Sequence, residues 1–283
     1  MSEIWEQRAL KEFKMEDYYA AYETFSGALF RRAQESLEGT QKLLIDVLKL
    51  FLSKNLIHEA NLIINNFLGI IKRLRLPMEV WYTVILAAAE VISEHSMASS
   101  LSLKCLREAV SGLNDKTAIE PRKKAINLSQ KLASTAKDTG TSTEYLLLAI
   151  TFQLELNNIS EAEMNLKNLF NTLSPQRDGV EGLRIASYLA LFRLLDKEVD
   201  SSFEVLRTYR KQLPPEERKE GGKSPYFELT IECIQAFRSN DGKQLAIVQS
   251  QAVRLKDNLL SELLVKLSEI LPPPKDFSNL MGF

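Results

Sequence analysis

The residue types that carry catalysis or bind metals are spread thinly along the 283-residue sequence, as His58, His95, Cys105 and Cys233. A zinc site needs about four such ligands close together, and a nucleophilic site needs a base within reach of the nucleophile. His95 lies between a glutamate and a serine, but adjacent residues on a helix do not face each other. The sequence also lacks phosphate-binding glycine loops, hydrolase elbows and paired Cys-x-x-Cys motifs. We therefore expect no enzyme active site, no metal site and no cofactor.

The composition limits the partners that the chain as a whole can bind. It carries 36 Lys and Arg against 37 Asp and Glu, a net charge of -1. This balance favours neither nucleic acid nor an anionic membrane surface. Two distant cysteines fit a reduced compartment, the first residues are charged, and no apolar run reaches membrane-spanning length. We expect a soluble cytoplasmic protein that does not insert directly into membranes.

Without catalytic residues, function is expected to reside on surfaces, and the N-terminal region offers the first candidate. Basic residues recur every three positions there, followed by tyrosines and two arginines, types that are enriched at protein-binding hot spots. The alternative is that Tyr18 and Tyr22 pack inside the first helical pair while the basic side chains are merely solvated. The predicted docking residues are Arg8, Lys11, Lys14, Tyr18, Tyr19, Tyr22, Arg31 and Arg32.

A second candidate surface follows the one long polar interruption of the chain, residues 214–223, which the composition predicts to be a surface loop. The next predicted helix is apolar nearly all round. A terminal repeat without a polar outer face suggests that a partner covers it. The predicted contact residues are Tyr226, Phe227, Ile231, Ile234 and Phe237.

The elements that position these residues are helical pairs, of which residues 141–173 give the clearest case. Hydroxyl and carboxylate residues spaced as capping boxes predict helix starts at residues 141–144, 160–163 and 201–204. Ile159 and Met164 have the spacing of a hydrophobic staple. One apolar stripe follows along the second helix of this pair, which cannot bury its apolar surface alone and needs similar pairs stacked on it.

The same pattern recurs along the chain and shows no strand-like alternation. Helices of roughly 12 to 18 residues recur in pairs about 35 to 40 residues apart, which is typical of tetratricopeptide-like repeats. The sequence thus predicts an all-α fold, an α-solenoid of stacked antiparallel helical hairpins with about 14 helices; a compact all-α bundle is the alternative. The expected divisions are residues 1–138, 139–271 and a C-terminal tail, 272–283.

Several motifs, in order, resemble the Golgi-to-ER traffic protein 4 family, the solenoid adaptor of the guided-entry pathway for tail-anchored membrane proteins. The segment Asp17-Tyr18-Tyr19-Ala20-Ala21-Tyr22 resembles the family's Asp-Tyr-Tyr-Glu-Ala-His. Each motif alone is weak, and their shared order over nearly the whole chain is the specific signal. Further matching segments are residues 30–31, 120–122, 158–161, 208–214, 241–243, 272–274 and 280–282.

The resemblance implies a non-enzymatic cytosolic adaptor in the post-translational targeting of tail-anchored proteins to the ER. Residues 1–138 would dock the homodimeric ATPase that carries the clients, through the N-terminal basic and tyrosine residues. Residues 139–271 would hold the N-terminal segment of a ubiquitin-like-domain protein, which in turn recruits a tetratricopeptide co-chaperone. Docking of the basic helices on an acidic ATPase surface would be salt-sensitive.

The chain departs from the family pattern at three positions: Tyr22 stands for a histidine, Ser26 for an arginine and Asn61 for an aspartate. If that aspartate helps to regulate the ATPase, regulation is weakened here. Two other functions stay open from the residues alone. One is a scaffold subunit of a larger helical-repeat complex, of the proteasome-lid or initiation-factor type; the other is an all-α lipid-processing enzyme.

Overall fold

The computed structural model describes residues 2–95, 98–111, 119–136, 138–221 and 223–273. It divides into two compact units, Met1–Ala149 and Ile150–Phe283. The division falls within a helix, whereas the sequence-based division was expected at residues 138 and 139, next to its start. Of the expected C-terminal tail, residues 274–283 lie outside the described residues, and the matching segment 280–282 lies outside with them.

The first unit consists of consecutive α-helices. The last of them continues into the second unit. The helices are α1 (Ser2–Lys14), α2 (Tyr18–Glu35), α3 (Leu37–Ser53), α4 (Ile57–Leu74), α5 (Met78–Ser93), α6 (Ser99–Ser111), α7 (Ile119–Thr135) and α8 (Thr139–Glu155).

Hairpins in the first unit stack on one another through their apolar stripes. Helix α1 packs on α2, α2 packs on α4, and α3 packs on α5. The ring of Phe13 meets Phe51 edge-on at 5.3 Å, and Phe67 meets Trp81 at 5.6 Å. Each hairpin thus covers the apolar face of the next one, as a helical-repeat protein requires.

The second unit continues the all-helical pattern. Its helices are α9 (Ile159–Asn171), α10 (Pro175–Leu195), α11 (Val199–Gln212), α12 (Pro215–Gly221), α13 (Pro225–Ser239), α14 (Gly242–Ala252) and α15 (Asn258–Ile270). Helix α10 is the centre of this unit, because it packs against α9, α11, α12, α13 and α15. The prediction of an all-α solenoid of stacked antiparallel hairpins is confirmed, and the described residues form fifteen α-helices and no strand.

One turn geometry joins the two helices of several hairpins. The middle one of its three residues is left-handed, with φ of 62° at Glu16, 57° at Asn55, 59° at Asn157 and 62° at Lys197. The next residue, just before the second helix, has φ near -85° and ψ between 63° and 73° in every case. Within each unit these turns recur about 40 residues apart, so the sequence repeat is also a repeat of backbone conformation.

The three predicted capping boxes are wrong, because the preceding turn fixes each helix start earlier in the sequence. Helix α8 begins at Thr139, and the carboxylate of Asp138 accepts the Thr141 amide at 2.7 Å. Helices α9 and α11 begin after Asn158 and Glu198, without a side-chain cap bond. The predicted staple also fails, since Met164 is 54% exposed.

The polar segment 214–223 is not a loop, since most of it forms helix α12. Pro215 provides a preorganised first helical residue, Glu216 and Glu217 suit the first turn, and Arg218 suits the last. The guanidinium of Arg218 donates to the carbonyls of Lys211 and Leu213 at 2.6 and 3.0 Å. Helix α12 is therefore fastened to the C-terminal end of α11.

Candidate protein-binding surfaces

The basic residues of α1 lie on its exposed side. Ala9 and Phe13 are buried against the rest of the first unit, whereas Arg8, Lys11 and Lys14 are exposed. Arg8 pairs with Glu12 one turn away at 2.8 Å, an arrangement that stabilises a helix only slightly. Neither lysine is paired with a carboxylate of the described residues, so both remain open to an acidic partner.

Two apolar residues that the sequence analysis missed lie beside these cations. Ile4 is 71% exposed and Met15 is 70% exposed. With Arg8 and Lys11 they follow the spacing i, i+4, i+7, i+11, so helical geometry puts all four on one face. We call Ile4, Arg8, Lys11 and Met15 the outer stripe. The signal was present in the sequence, as apolar residues at the helical period opposite Ala9 and Phe13.

The two arginines of α2 are used inside the first hairpin. The guanidinium of Arg31 lies 4.0 Å from the centre of the Trp5 ring and donates to the Gly27 carbonyl at 3.0 Å. Arg32 donates to Glu6 of α1 at 2.7 Å, and its carboxylate partner raises its pKa. These arginines hold α1 against α2. The structure therefore separates them from the exposed basic residues with which they were grouped.

The three tyrosines of α2 fall into different environments. Tyr18 is half-buried and meets the ring of Phe13 at 5.1 Å, so it packs within the hairpin. Tyr19 is 65% exposed, and a hydrogen bond to Glu23 raises the pKa of its hydroxyl. Tyr22 is half-buried, with its ring 6.0 Å from that of Tyr19. The packing alternative thus holds for Tyr18, and Tyr19 is the open tyrosine.

Two of the positions that depart from the family pattern are not on an open surface. Ser26 is 9% exposed, and its hydroxyl has no hydrogen-bond partner among the described residues. Asn61 is half-buried and accepts a hydrogen bond from Asn65, 3.3 Å away on the same helix. Asn65 also accepts from Lys104 of α6. Asn61 therefore belongs to a polar contact between α4 and α6.

The predicted partner surface on α13 is largely covered by helices of the chain itself. Helix α13 packs against α10, α11 and α14, and it is not terminal, since α14 and α15 follow. Ile234 is 1% exposed, so it is a core residue and cannot form a surface contact. Tyr226 and Phe237 are half-buried. The expected apolar face is therefore corrected to a narrower opening at Phe227 and Ile231.

Tyr226 has an internal role in a buried polar cluster. Its hydroxyl donates to the Asp257 carboxylate at 3.0 Å, and the hydroxyl of Tyr188 donates to the same oxygen at 2.6 Å. The other carboxylate oxygen accepts the Leu260 amide and caps α15. Burial, followed by the charge of Asp257, raises the pKa of Tyr188, and the same causes raise that of Tyr226. One carboxylate thus joins α10, α13 and α15.

An open groove of about 430 Å³ lies between α11 and α13, closed at one end by α12. Its floor is apolar and consists of Phe203, Leu206, Phe227 and Ile231. Its rim is basic and consists of Arg207, Arg210, Lys211 and Arg218. We call these eight residues the basic groove. Two of these residues, Phe227 and Ile231, were predicted as contacts. The rim was not predicted, because only the packing of α11 against α13 brings its cations beside the apolar floor, and Arg218 lies on α12, which was expected to be a loop.

The charge of the basic groove is only partly balanced. Arg207 pairs with Glu204 at 3.0 Å, with both side chains more than half exposed. Arg210 lies over the ring of Phe227, 4.8 Å from its centre, and its buried Nε has no acceptor among the described residues. Lys211 has no carboxylate partner among the residues that the structure describes. An exposed ion pair contributes little to stability, so Arg207 can exchange partners readily.

The residues that could do chemistry do not converge. Cys105 and Cys233 are free and buried, and burial raises the pKa of the Cys105 thiol to about 12. A thiol held protonated in this way is a poor nucleophile. His58 is exposed and His95 is half-buried. No group of three or more His, Cys, Asp or Glu in the described residues is arranged to hold a metal ion.

The helices also carry no membrane-spanning signature: none within the described ranges combines the length and apolar character that crossing a bilayer requires.

No protein-family model matches the chain, and no curated protein matches its sequence.

Proposed function

We propose that this chain is a non-enzymatic cytosolic adaptor in the post-translational targeting of tail-anchored membrane proteins to the ER. In this proposal the N-terminal helices dock the homodimeric client-carrying ATPase. The C-terminal helices hold the N-terminal segment of a ubiquitin-like-domain protein and, through it, a tetratricopeptide co-chaperone. The identity of these partners rests on the ordered sequence motifs. The observation that carries an adaptor role is a helical-repeat scaffold with two open surfaces of protein-binding chemistry.

The outer stripe and Lys14 are the proposed ATPase-docking face. They combine the unpaired Lys11 and Lys14 with exposed Ile4 and Met15, and a face of this kind can both attract an acidic surface and bury apolar area against it. Arg31 and Arg32 support the face indirectly, because they fix α1 on α2. Tyr19 offers a second exposed contact on α2.

The basic groove is the proposed site for the ubiquitin-like-domain partner. Phe227 and Ile231 supply the open apolar contact, and the surrounding helices α10 and α14 hold α13 in place. Tyr226, Ile234 and Phe237 take part through the packing of α13 rather than as surface contacts.

Copurification tests the proposed function against its rivals. The full-length chain, tagged and expressed in its own cells, should recover a homodimeric ATPase and a ubiquitin-like-domain protein in amounts comparable to its own. Recovery of many helical-repeat subunits instead would favour the scaffold subunit. Turnover of a lipid substrate by the isolated chain would favour the lipid-processing enzyme.

Charge reversal tests the ATPase-docking face. Lys11→Glu with Lys14→Glu should weaken binding of the purified ATPase at least tenfold at low salt, because it replaces attraction by repulsion. Both residues lie in the last turn of α1, and Lys72 and Arg73 lie exposed in the last turn of α4. The pair Lys72→Glu and Arg73→Glu is therefore a matched control for net charge and helix-end effects. Equal losses in both pairs would contradict the assigned face.

Phe227→Asp tests the second surface. It should release the ubiquitin-like-domain protein in a pull-down and leave ATPase binding unchanged, with an unaltered far-ultraviolet circular dichroism spectrum. Loss of both partners together with a lowered melting temperature would indicate unfolding. In that case Lys211→Glu, which changes an exposed side chain on the rim, decides whether the groove binds the partner.

A further inference from the structure

The basic groove has more positive charge than its own packing uses. Four cations surround the apolar floor, and no acidic residue lines it among the described residues. Of the four, Arg207 is paired with a carboxylate, and that pair is exposed to solvent. The negative end of the α11 dipole accounts for Arg210 and Lys211 in its last turn. The helix dipole does not explain why the aromatic and aliphatic side chains of the floor remain uncovered between these cations.

The groove lies between two helices, which is a setting in which a third helix can pack. Phe203, Arg207 and Arg210 follow one another along one side of α11, and Phe227 and Ile231 lie one turn apart on α13. A helix laid between two helices packs its apolar ridge into the groove between theirs. In this position it would repeat the contact that consecutive hairpins of the first unit make with each other.

We propose that the basic groove binds an acidic amphipathic helix of another protein. Apolar residues of that helix at i, i+3 or i+4 would cover Phe227 and Ile231. Its Asp and Glu side chains would accept hydrogen bonds from the outer nitrogens of the Arg210 guanidinium, from Lys211 and from Arg218. The inference deepens the proposed function and rests on it only in treating the groove as a protein-binding surface. It names the chemistry of the partner, whichever protein carries it.

The chemistry of Arg210 makes the acidic character specific. A guanidinium over an aromatic ring keeps its edge free for a planar, bidentate contact with a carboxylate. An apolar helix would cover the part-exposed guanidinium and the ring without offering the charge an acceptor, which is unfavourable. A basic helix would meet four like charges. Of these three kinds of helix, only an acidic amphipathic one can both cover the apolar floor and pair with the cations of the rim.

Peptide selection tests this inference on the full-length chain. The probe is a phage-displayed library of random peptides long enough for about four helical turns. Enriched sequences should combine Leu, Phe or Trp at helical spacing with Asp and Glu. A synthetic copy of the enriched peptide should bind at least tenfold more weakly to Arg210→Glu with Lys211→Glu. The matched control is Lys243→Glu with Arg254→Glu, two exposed cations of the same unit outside the groove.

Defined outcomes overturn the inference. Enrichment of basic peptides, the lack of an enriched family, or equal binding of the peptide to the groove variant and the control would each exclude it. So would groove-dependent binding of polyuridine RNA or phosphatidylserine vesicles, or a dimer of the chain that Lys211→Glu dissociates. If the groove variant has a lowered melting temperature, the single change Lys211→Glu replaces it.

The selection and the copurification fail separately. Acidic peptides that bind the groove, without recovery of a ubiquitin-like-domain protein, would retain the inference and remove the proposed partner. Recovery of that protein with a groove that selects no acidic peptide would remove the inference alone.

Discussion

The first hairpin and the basic groove both place an arginine over an aromatic ring, and they use this pair differently. Arg31 lies over Trp5 and also donates to the Gly27 carbonyl, so the contact holds two helices together. Arg210 lies over Phe227, but its buried Nε has no acceptor among the described residues. An arginine–aromatic pair is a structural joint when its donors are satisfied within the chain. The pair of Arg210 and Phe227 is the one that we propose to act in recognition.

The largest effect is expected on α13, where two adjacent half-buried rings differ in what they contact: Tyr226 hydrogen-bonds to Asp257, and Phe227 lines the basic groove. Asp257→Ala should lower the free energy of unfolding by about 3 kcal/mol, because two tyrosine hydroxyls lose their acceptor and α15 loses its cap. Chemical denaturation measures the loss. Asp241→Ala is the control, since Asp241 only caps α14 and should cost about 1 kcal/mol. Equal losses would show that the tyrosine cluster adds no stability.

Two adjacent tyrosines sharpen the comparison within the first hairpin. Tyr18→Ala should lower the free energy of unfolding by about 2 kcal/mol, because its ring packs against Phe13. Tyr19→Ala should leave the denaturation midpoint unchanged, because Tyr19 is 65% exposed, and should weaken ATPase binding instead. If Tyr19→Ala unfolds the chain more readily than Tyr18→Ala, the separation of joint and surface in α2 is wrong.

The two units differ at their surfaces, but each has a buried cysteine in its interior. We expect both interiors to become less stable at alkaline pH. Burial raises the pKa of Cys105 from 9.0 to about 12 and also raises that of Cys233. Above pH 9 the unfolded chain releases these protons and the folded chain retains them, so stability is full below pH 9 and falls towards pH 12. The slope is on the order of 1 kcal/mol per pH unit for each thiol.

Urea denaturation across this pH range measures the slope. Cys105→Ala and Cys233→Ala should each make it shallower, and an unchanged slope in both variants would assign the loss to other groups. Tyr188, whose pKa is also raised by burial, adds to the loss only above pH 10.

The smallest expected effect is the difference in the free energy of unfolding that two salt bridges contribute. Arg32→Ala should lower the free energy of unfolding by about 1 kcal/mol, because Arg32 and Glu6 are three-quarters buried and join two helices. Arg207→Ala should change it by less than about 0.5 kcal/mol, because its pair with Glu204 is exposed within one helix. A larger loss for Arg207 would mean that the groove rim is itself a structural joint.

The fold could be predicted from the sequence because apolar residues at helical spacing indicate helices, and helices that cannot bury their stripes alone must stack. Helix starts could not, because the turns before Asn158 and Glu198 place the first residue by backbone geometry rather than by a capping side chain. The pattern of hydroxyl and carboxylate residues matched a capping box by coincidence of spacing.

The candidate surfaces were predicted in part. Composition identified the residue types, but Tyr226 and Phe227 are adjacent on α13, and only the positions of the neighbouring helices decide which ring is internal. In the first hairpin, too, only the packing of the helices decides that Arg31 is used internally and that Arg8 is exposed. The basic groove was missed because it depends on how α11 packs against α13, which the sequence does not show. Arg218 was missed because the polar composition of α12 is equally typical of a loop.

The left-handed residue in each hairpin turn is a position at which the protein can be made more thermostable. Glu16 and Lys197 adopt a conformation that costs an ordinary L-amino acid roughly 1 kcal/mol, whereas asparagine tolerates it better at Asn55 and Asn157. Glycine in place of Glu16 and of Lys197 would relieve this backbone strain without altering either docking surface. Such a thermally reinforced variant would be a suitable sample for capturing weakly bound complexes.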